Sequence, residues 1–438
     1  MNRWTLEVSN FGKIRHAKVT VAPLTFFLGE NNSGKSYLMT LIYGLLTMRF
    51  QEKYIEGCRE TEGYKRAFAI VREQLSKLET EGEVIFFLPE DVRDSFALLL
   101  DSILNKRVFL EELFNKTFEE GEFSVKFYDT YKFRLTCDEK YIIIWFDEES
   151  YSLGAGTALV KEEDVKTEYF MSYIMQLLFQ KDFMHGNQDI LYLPVARTGF
   201  LLTYKSVIGS AMQDKFNIEN SEKNLLTKPV GDFLTRLGTM SVHGEQLYYQ
   251  DLVSFIEQHL IKGHIDVSEM PTHDILYSSE QLGQKLPMYL TSGVVTELAP
   301  LLLFLERINL HTVLIEEPEI SLHPELQISM ARLLVRMCNA GIATFVTTHS
   351  DLIMQHVNNM IRLSEIVRAG KELPETKYTK EDFIQRNQVA VYEFQTGADG
   401  RTEIIPVPCN KSGFAVDTFY QALKKLSEEI DIIEEKME

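Results

Sequence analysis

The chain has 438 residues, 45% of them hydrophobic, and carries 45 Lys and Arg against 64 Asp and Glu, a formal charge of −19. That length can bury a substantial core in two or three lobes. The acidity excludes a broadly basic nucleic-acid surface, although a local basic groove stays open. Cys58, Cys137, Cys338 and Cys409 are far apart and form no C-x-x-C pair, which argues for reduced thiols and against a zinc site or disulfide framework. With no apolar region of signal-peptide length at the start and no run of about 18 apolar residues, a cytoplasmic protein with no membrane partner is expected.

Residues 4–28 predict three strands, the last of which, LTFFL, is almost wholly apolar, as buried strands are. It runs into GENNSGKS, where Gly29, Gly34, Lys35 and Ser36 have the spacing G-x-x-x-x-G-K-[ST]. In that pattern backbone N–H groups and a helix N-terminus converge on phosphate oxygens. Lys35 is placed to reach β and γ phosphates and Ser36 to ligate Mg²⁺, while Asn31, Asn32 and Ser33 wrap backbone amides around the phosphates. ATP and Mg²⁺ are therefore the expected ligands. From Ser36 to Phe50, Leu38, Ile42, Leu45 and Leu46 fall on one face of a helix.

Residues 51–120 have a charged, helical pattern, and 121–153 predict short antiparallel strands from their β-branched and aromatic content. A helix is expected over 165–183, then a buried strand in 189–200. A mostly helical region follows to about 262, with Val230, Phe233, Leu234 and Leu237 on one face, and then short polar strands to 290. A helix over 293–308, a strand in HTVLIEEPE, a helix in PELQISMARLLVRMCNAG and a strand in IATFVTTHS complete an α/β alternation. That order predicts a mostly parallel core sheet with helices on both faces. Core segments 1–50, 189–200 and 286–365 are thus expected to carry an inserted helical and antiparallel β segment at 51–188. A helical lobe is expected at 201–285 and a β and helix extension at 366–438. In the tail, Phe419, Leu423, Leu426, Ile430 and Ile433 have heptad-like spacing, expected of a docked amphipathic helix or, alternatively, of a partner-binding one.

Three further segments carry chemistry. In TVLIEEPEISLHP the apolar strand ends in two carboxylates, where ligands of open α/β sheets sit; Glu316 suits a Mg²⁺ shell and Glu317 the polarising of an attacking water. His349 ends the strand ATFVTTHS, and taken with the other elements it suits contact with the γ-phosphate and the water. Ser292 and Gly293 open an apolar helix whose free N–H groups and positive dipole end can take a phosphate. Since the loop at 29–36 already supplies one anion site, that second phosphate is expected to be held by another subunit.

The order of phosphate loop, long insertion, Ser-Gly helix, acidic strand with LHP, and strand ending in His resembles the ABC-type ATPase heads of the SMC and DNA-repair class. More closely, it resembles the OLD-like ATPases of bacterial defence systems, over residues 1–50 and about 189–365. The resemblance implies an ABC-type P-loop ATPase head that forms a homodimer, or a higher homo-oligomer, head to tail around two ATP molecules. In it Ser292 and Gly293 complete the site opened by Lys35 of the partner, Glu317 is the general base, His349 is the switch histidine and EISLHP is the dimer-contacting loop. Arg197, in YLPVARTGF, falls where related ATPases carry a Pro-x-x-Arg loop linking nucleotide to helical lobe; a plain surface loop is the alternative. Two departures from the pattern stand out. Glu316 replaces the usual metal-binding Asp, and the residues after His349 lack the D-x-D and Glu-plus-Asp sets of a Toprim nuclease. The implied function is an ATP-driven switch without nuclease activity of its own, controlling a separately encoded effector such as a nuclease or toxin in anti-phage defence. An ATPase clamp acting directly on DNA in repair or recombination is the alternative, and the ATP subunit of a membrane transporter a more distant one.

Overall fold

Alternation along LTFFLG sends Phe27 into one apolar cluster and Leu24, Phe26 and Leu28 into another, so this strand is buried on both faces. The structure is a computed structural model that describes residues 3–48, 52–129, 131–137, 142–146, 149–153, 163–179, 189–216, 226–239, 248–268, 274–279, 283–411 and 413–437. Nine strands form its main sheet: β1 (Trp4–Phe11), β2 (Ile14–Thr20), β3 (Leu24–Gly29), β4 (Glu122–Phe127), β5 (Asp189–Leu193), β6 (Leu310–Glu316), β7 (Ala343–Thr348), β8 (Val389–Thr396) and β9 (Thr402–Pro406). Their order is β4-β1-β2-β9-β8-β3-β7-β6-β5. From β8 to β5 every pairing is parallel. Beyond β8 the β8/β9, β1/β2 and β1/β4 pairs are antiparallel, while β2/β9 is parallel.

The helices that matter for the site are α1 (Lys35–Thr47), α2 (Glu90–Asn105), α3 (Arg197–Phe216), α4 (Gly293–Arg307), α5 (Pro324–Asn339), α6 (Asp351–Arg368) and α7 (Asp417–Met437). Side chains of α1 and α2 join Phe27 and Phe345 on one face of the sheet, and those of α4, α5 and α6 join Phe26 and Val346 on the other. Burial of α1 extends beyond the single stripe expected from its spacing, because Met39, Leu41, Tyr43 and Gly44 are covered as well. Gly44 is where this wrapping is tightest: a Cβ there would lie 2.5 Å from Leu113 Cδ2.

Three expectations change. Glu83–Leu88, inside the stretch read as helical, is a strand, because Val84, Phe86 and Leu88 alternate inward while Ile85 and Phe87 face out. It pairs with Tyr131–Cys137 in a four-stranded antiparallel sheet. The segment Glu122–Phe127, expected in that small sheet, instead adds to β1 at the edge of the main one. The tail helix is not docked along its length, since Ile430, Ile432 and Ile433 on α7 are exposed; the side chains of Phe419, Leu423 and Leu426 lie outside the described residues. Three short strands, Gly263–Val267, Ile275–Ser279 and Lys285–Pro287, form an antiparallel sheet where short polar strands were expected.

Side chains of α2 satisfy the free edge of β4. Asp101 Oδ1 accepts from the Val125 N–H at 2.8 Å, and the Asn105 amide both donates to Phe123 O and accepts from Phe123 N–H. Unpaired edge groups invite pairing with other chains, and here two side chains occupy them. Burial pushes the Asp101 carboxyl up to about 7, against the hydrogen bond from Val125. Between the ordinary carboxylate range and about 7, the unfolded chain has lost the proton that the folded chain keeps. The contribution of Asp101 to stability therefore falls as pH rises across that window and is level above it. The expected outcome for Asp101→Asn is a melting temperature that gains on the wild type between pH 4 and 7 and runs parallel to it above pH 7. Thermal unfolding at a series of pH values checks this.

Candidate functional site

Parallel register brings the site together. Leu28 pairs with Thr348 and Glu316 with Thr347, so β3, β6 and β7 end within one residue of a common level. Gly29, Glu317 and His349 leave the sheet side by side at its C-terminal edge.

Two backbone features shape the loop after β3. Gly29 has φ 145°, and a Cβ there would sit 2.7 Å from both Cβ and the carbonyl oxygen of Phe394, so β8 leaves no room for a side chain. Gly34, in the left-handed region at φ 99°, turns the chain into α1. Ser33 is buried, while Asn31, Asn32 and Ser36 are exposed at the loop rim. The Lys35 ammonium folds back into the loop, donating to Gly29 O at 2.9 Å and Glu30 O at 2.7 Å. Burial lowers its pKa to about 8, opposed by the charges of Glu317, Glu319, Glu316 and Glu30.

Opposite lie the acids. Glu316 is buried; its Oε2 accepts from the Val195 N–H at 3.2 Å, and its Oε1 has no hydrogen-bond partner. Glu317 adopts φ 44°, a conformation costly for a side chain of this size. Its N–H is held by Thr347 O at 2.9 Å, and its carboxylate lies 3.5 Å from His349 Nε2. The His349 imidazole beside it, outweighing burial, holds the Glu317 carboxyl below the usual range. The resulting ionised carboxylate is suited to polarising a water.

Glu319 supports this arrangement and had been placed only within the EISLHP loop. Its Oε1 accepts from the His349 N–H at 2.5 Å, and burial raises its own pKa. An acid two residues beyond the Glu316-Glu317 pair was the available signal.

Ser292 caps α4 through its hydroxyl, which accepts from the Val295 N–H. Gly293 packs against the 319–324 loop, where a Cβ would lie 3.0 Å from Ser321 Oγ. Among the described residues, no hydrogen bond or ion pair joins Ser292 or Gly293 to residues 29–36.

Arg197 corrects the surface-loop alternative. Its side chain is 2% exposed, and its Nε lies 2.7 Å from Glu297 Oε2, itself on a side chain 5% exposed. Nη1 donates to Glu316 O at 2.7 Å and Pro194 O at 3.2 Å, and Nη2 to Glu317 O at 3.2 Å. The guanidinium is engaged inward by protein groups, where the sequence had suggested a contact with nucleotide. Glu297 went unnoticed in the sequence, although a carboxylate within the apolar run VVTELAPLLL requires a buried partner.

The metal expected with ATP can be tested against these donors. Among the described residues no group of three His, Cys, Asp or Glu could hold an ion. A buried, unpartnered carboxylate oxygen on Glu316 and an exposed Ser36 hydroxyl at the helix start nonetheless suit a hard cation that takes its remaining oxygens from phosphate and water.

A family model described as AAA ATPase domain, AAA_15, matches residues 4–225 and 210–354. The chain belongs to this family. It is thus an ATPase domain, and the loop, acids and histidine above lie within the matched residues. No curated protein matches. Among solved structures, the SMC head domain from Thermotoga maritima is 12% identical, covering 93% of this chain and 100% of that one with a TM-score of 0.37. An SMC head with an extended coiled coil, bound to the C-terminal domain of ScpA derived from Pyrococcus furiosus, is also 12% identical, covering 98% and 99% with a TM-score of 0.38. At that identity and those scores, the likeness assigns nothing to individual residues.

Because Lys35 titrates near pH 8, ATP affinity is expected to hold steady from pH 7 to 8 and to weaken above, by no more than about tenfold per pH unit for one proton. Equilibrium binding of a fluorescent ATP analogue across pH 7–9.5 checks this. Lys35→Ala is expected to lower affinity strongly and to abolish that pH dependence.

Proposed function

We propose that the protein is an ATP-hydrolysing switch whose complete sites form when two copies close head to tail around two ATP molecules. What supports this reading is that the glycine loop and the Ser292-Gly293 helix start face different groups of the chain. The loop at 29–36 faces the acids of its own chain, whereas the Ser292-Gly293 helix start lies against Ser321 in the loop that follows those acids. A second copy, turned end for end, brings its helix start over the first copy's phosphates.

In such a site Lys35 exchanges its loop carbonyls for β and γ phosphate oxygens. Ser36 and Glu316 would hold Mg²⁺, whose charge would offset that of the phosphates. Glu317 orients and polarises the attacking water, and His349, 3.5 Å from that carboxylate, holds it in place and senses the γ-phosphate. The partner's helix start stabilises the transferring phosphoryl group, so hydrolysis awaits closure.

The output proposed for this switch is control of a separately encoded effector, a nuclease or toxin, in bacterial anti-phage defence. Resemblance of the motif order to OLD-like ATPases supports it, as do the helical lobe beside the core and the −19 charge, which disfavours direct DNA binding. No described helix is long and apolar enough to cross a membrane.

Glu317→Gln keeps the side-chain shape and removes the base. Turnover is expected to fall by about 10²-fold or more, while an ATP-dependent dimer or larger assembly persists in mass measurements. Equal masses with and without ATP, together with normal turnover in the variant, would reject both the base and the two-copy site. Co-purification of the neighbouring gene's product, with and without ATP, tests the effector.

A further inference from the structure

Arg197 touches both halves of the proposed composite site. Its Nη1 and Nη2 hold the carbonyl oxygens of Glu316 and Glu317, the peptide groups on either side of the Glu317 Cα. Fixing those two planes holds Glu317 at φ 44°, a backbone state that persists only where its surroundings over-determine it. The other side of the guanidinium is bound by Glu297, through its carboxylate at 2.7 Å and its backbone carbonyl at 3.2 Å. Glu297 lies four residues beyond Gly293, one helical turn into α4. Its Oε1 is held in turn by the Thr198 hydroxyl at 2.6 Å, so the carboxylate is clamped between consecutive residues of α3.

We infer that the Arg197–Glu297 pair is a positioning device that couples the Ser292-Gly293 helix start to the Glu317 carboxylate, so that docking of a second copy's phosphate sets the water-polarising geometry in the first copy's own site. The pair acts through the backbone of Glu317 and need not touch nucleotide. It rests on the two-copy site proposed above. A phosphate drawn to the N-terminus of α4 pulls along the helix axis, and Glu297 is the first charged side chain on that helix. Both partners are buried and their charged groups lie 2.7 Å apart, so a shift of α4 is transmitted to the 316–317 peptide rather than absorbed by solvent. The planar fork of arginine serves both ends at once; lysine, a point charge, can meet Glu297 or the carbonyls but not both.

The test uses the full chain, with ATP and Mg²⁺, as Arg197→Lys and Glu297→Gln. Glu297→Gln keeps the size of the side chain and an oxygen for the Thr198 hydroxyl but turns an amide nitrogen toward Arg197, so it breaks the ion pair, and it serves where Arg197→Lys does not fold. In each variant kcat is expected to fall at least tenfold, as small misplacements of a catalytic group do. KM is expected to change less than twofold. ATP-dependent assembly, read in the Glu317→Gln background, should be retained. A pair that only stabilised the fold would lower the melting temperature and leave kcat of the folded fraction unchanged, and that result overturns the coupling. So does loss of ATP binding in step with kcat. If the wild type and Glu317→Gln show no ATP-dependent change in mass and turnover per chain is independent of protein concentration, the two-copy site fails and the coupling with it. Assembly retained with wild-type kcat in both variants removes the coupling alone.

Discussion

Everything at the site depends on the parallel register of β3, β7 and β6. Parallel strands of one sheet end on the same side, and pairing of Leu28 with Thr348 and of Thr347 with Glu316 makes these three end together. Sequence segments separated by almost 300 residues thereby place a glycine turn, a pair of acids and a histidine around one cleft. A slip of one residue would turn Glu316 toward the opposite face of the sheet. The two apolar layers prevent it, since Phe27 is buried on one side and Phe26 and Leu28 on the other.

On that frame the electrostatics are built from groups that burial would otherwise penalise. Lys35 is lodged among loop carbonyls in the field of three nearby glutamates, Glu317, Glu319 and Glu316. Burial and acid charge act on its proton in opposite directions, and burial prevails. Burial raises the Glu319 pKa against the hydrogen bonds it accepts, among them one from the His349 backbone that fixes the histidine beside Glu317. Arg197 is tolerated in the interior because Glu297 neutralises it and takes its Nε–H, while Nη1 and Nη2 donate to three further carbonyl oxygens. Arg197 and Glu297 thereby tie the Glu316–Glu317 backbone to the first turn of α4.

Much of the site was legible because its chemistry is local in sequence. The phosphate loop needs glycines at fixed offsets, and the acids and histidine need only to follow an apolar strand. Helix starts at Gly293 and Pro324 announce themselves through Ser292 and the His-Pro step. Less legible were elements whose state depends on what covers them. EVIFFL sits in a charged neighbourhood, and only its period of two marks it as a strand. EFSVKF is indistinguishable by pattern from its neighbouring strands, so its place beside β1 was settled by pairing. The heptad spacing of the tail specifies an apolar seam on α7 but not what meets it.

By itself the sequence determined the glycine loop after an apolar strand, the acidic strand end, the histidine after its strand and the α/β class, since each follows from spacing along one continuous segment. Only the tertiary structure decided what surrounds Arg197. A guanidinium in a loop after a strand looks the same on paper whether it faces water or lies, 2% exposed, against Glu297 a hundred residues away. Long-range ion pairs and backbone contacts of that kind leave no periodic trace, because they are set by which elements the sheet brings into contact.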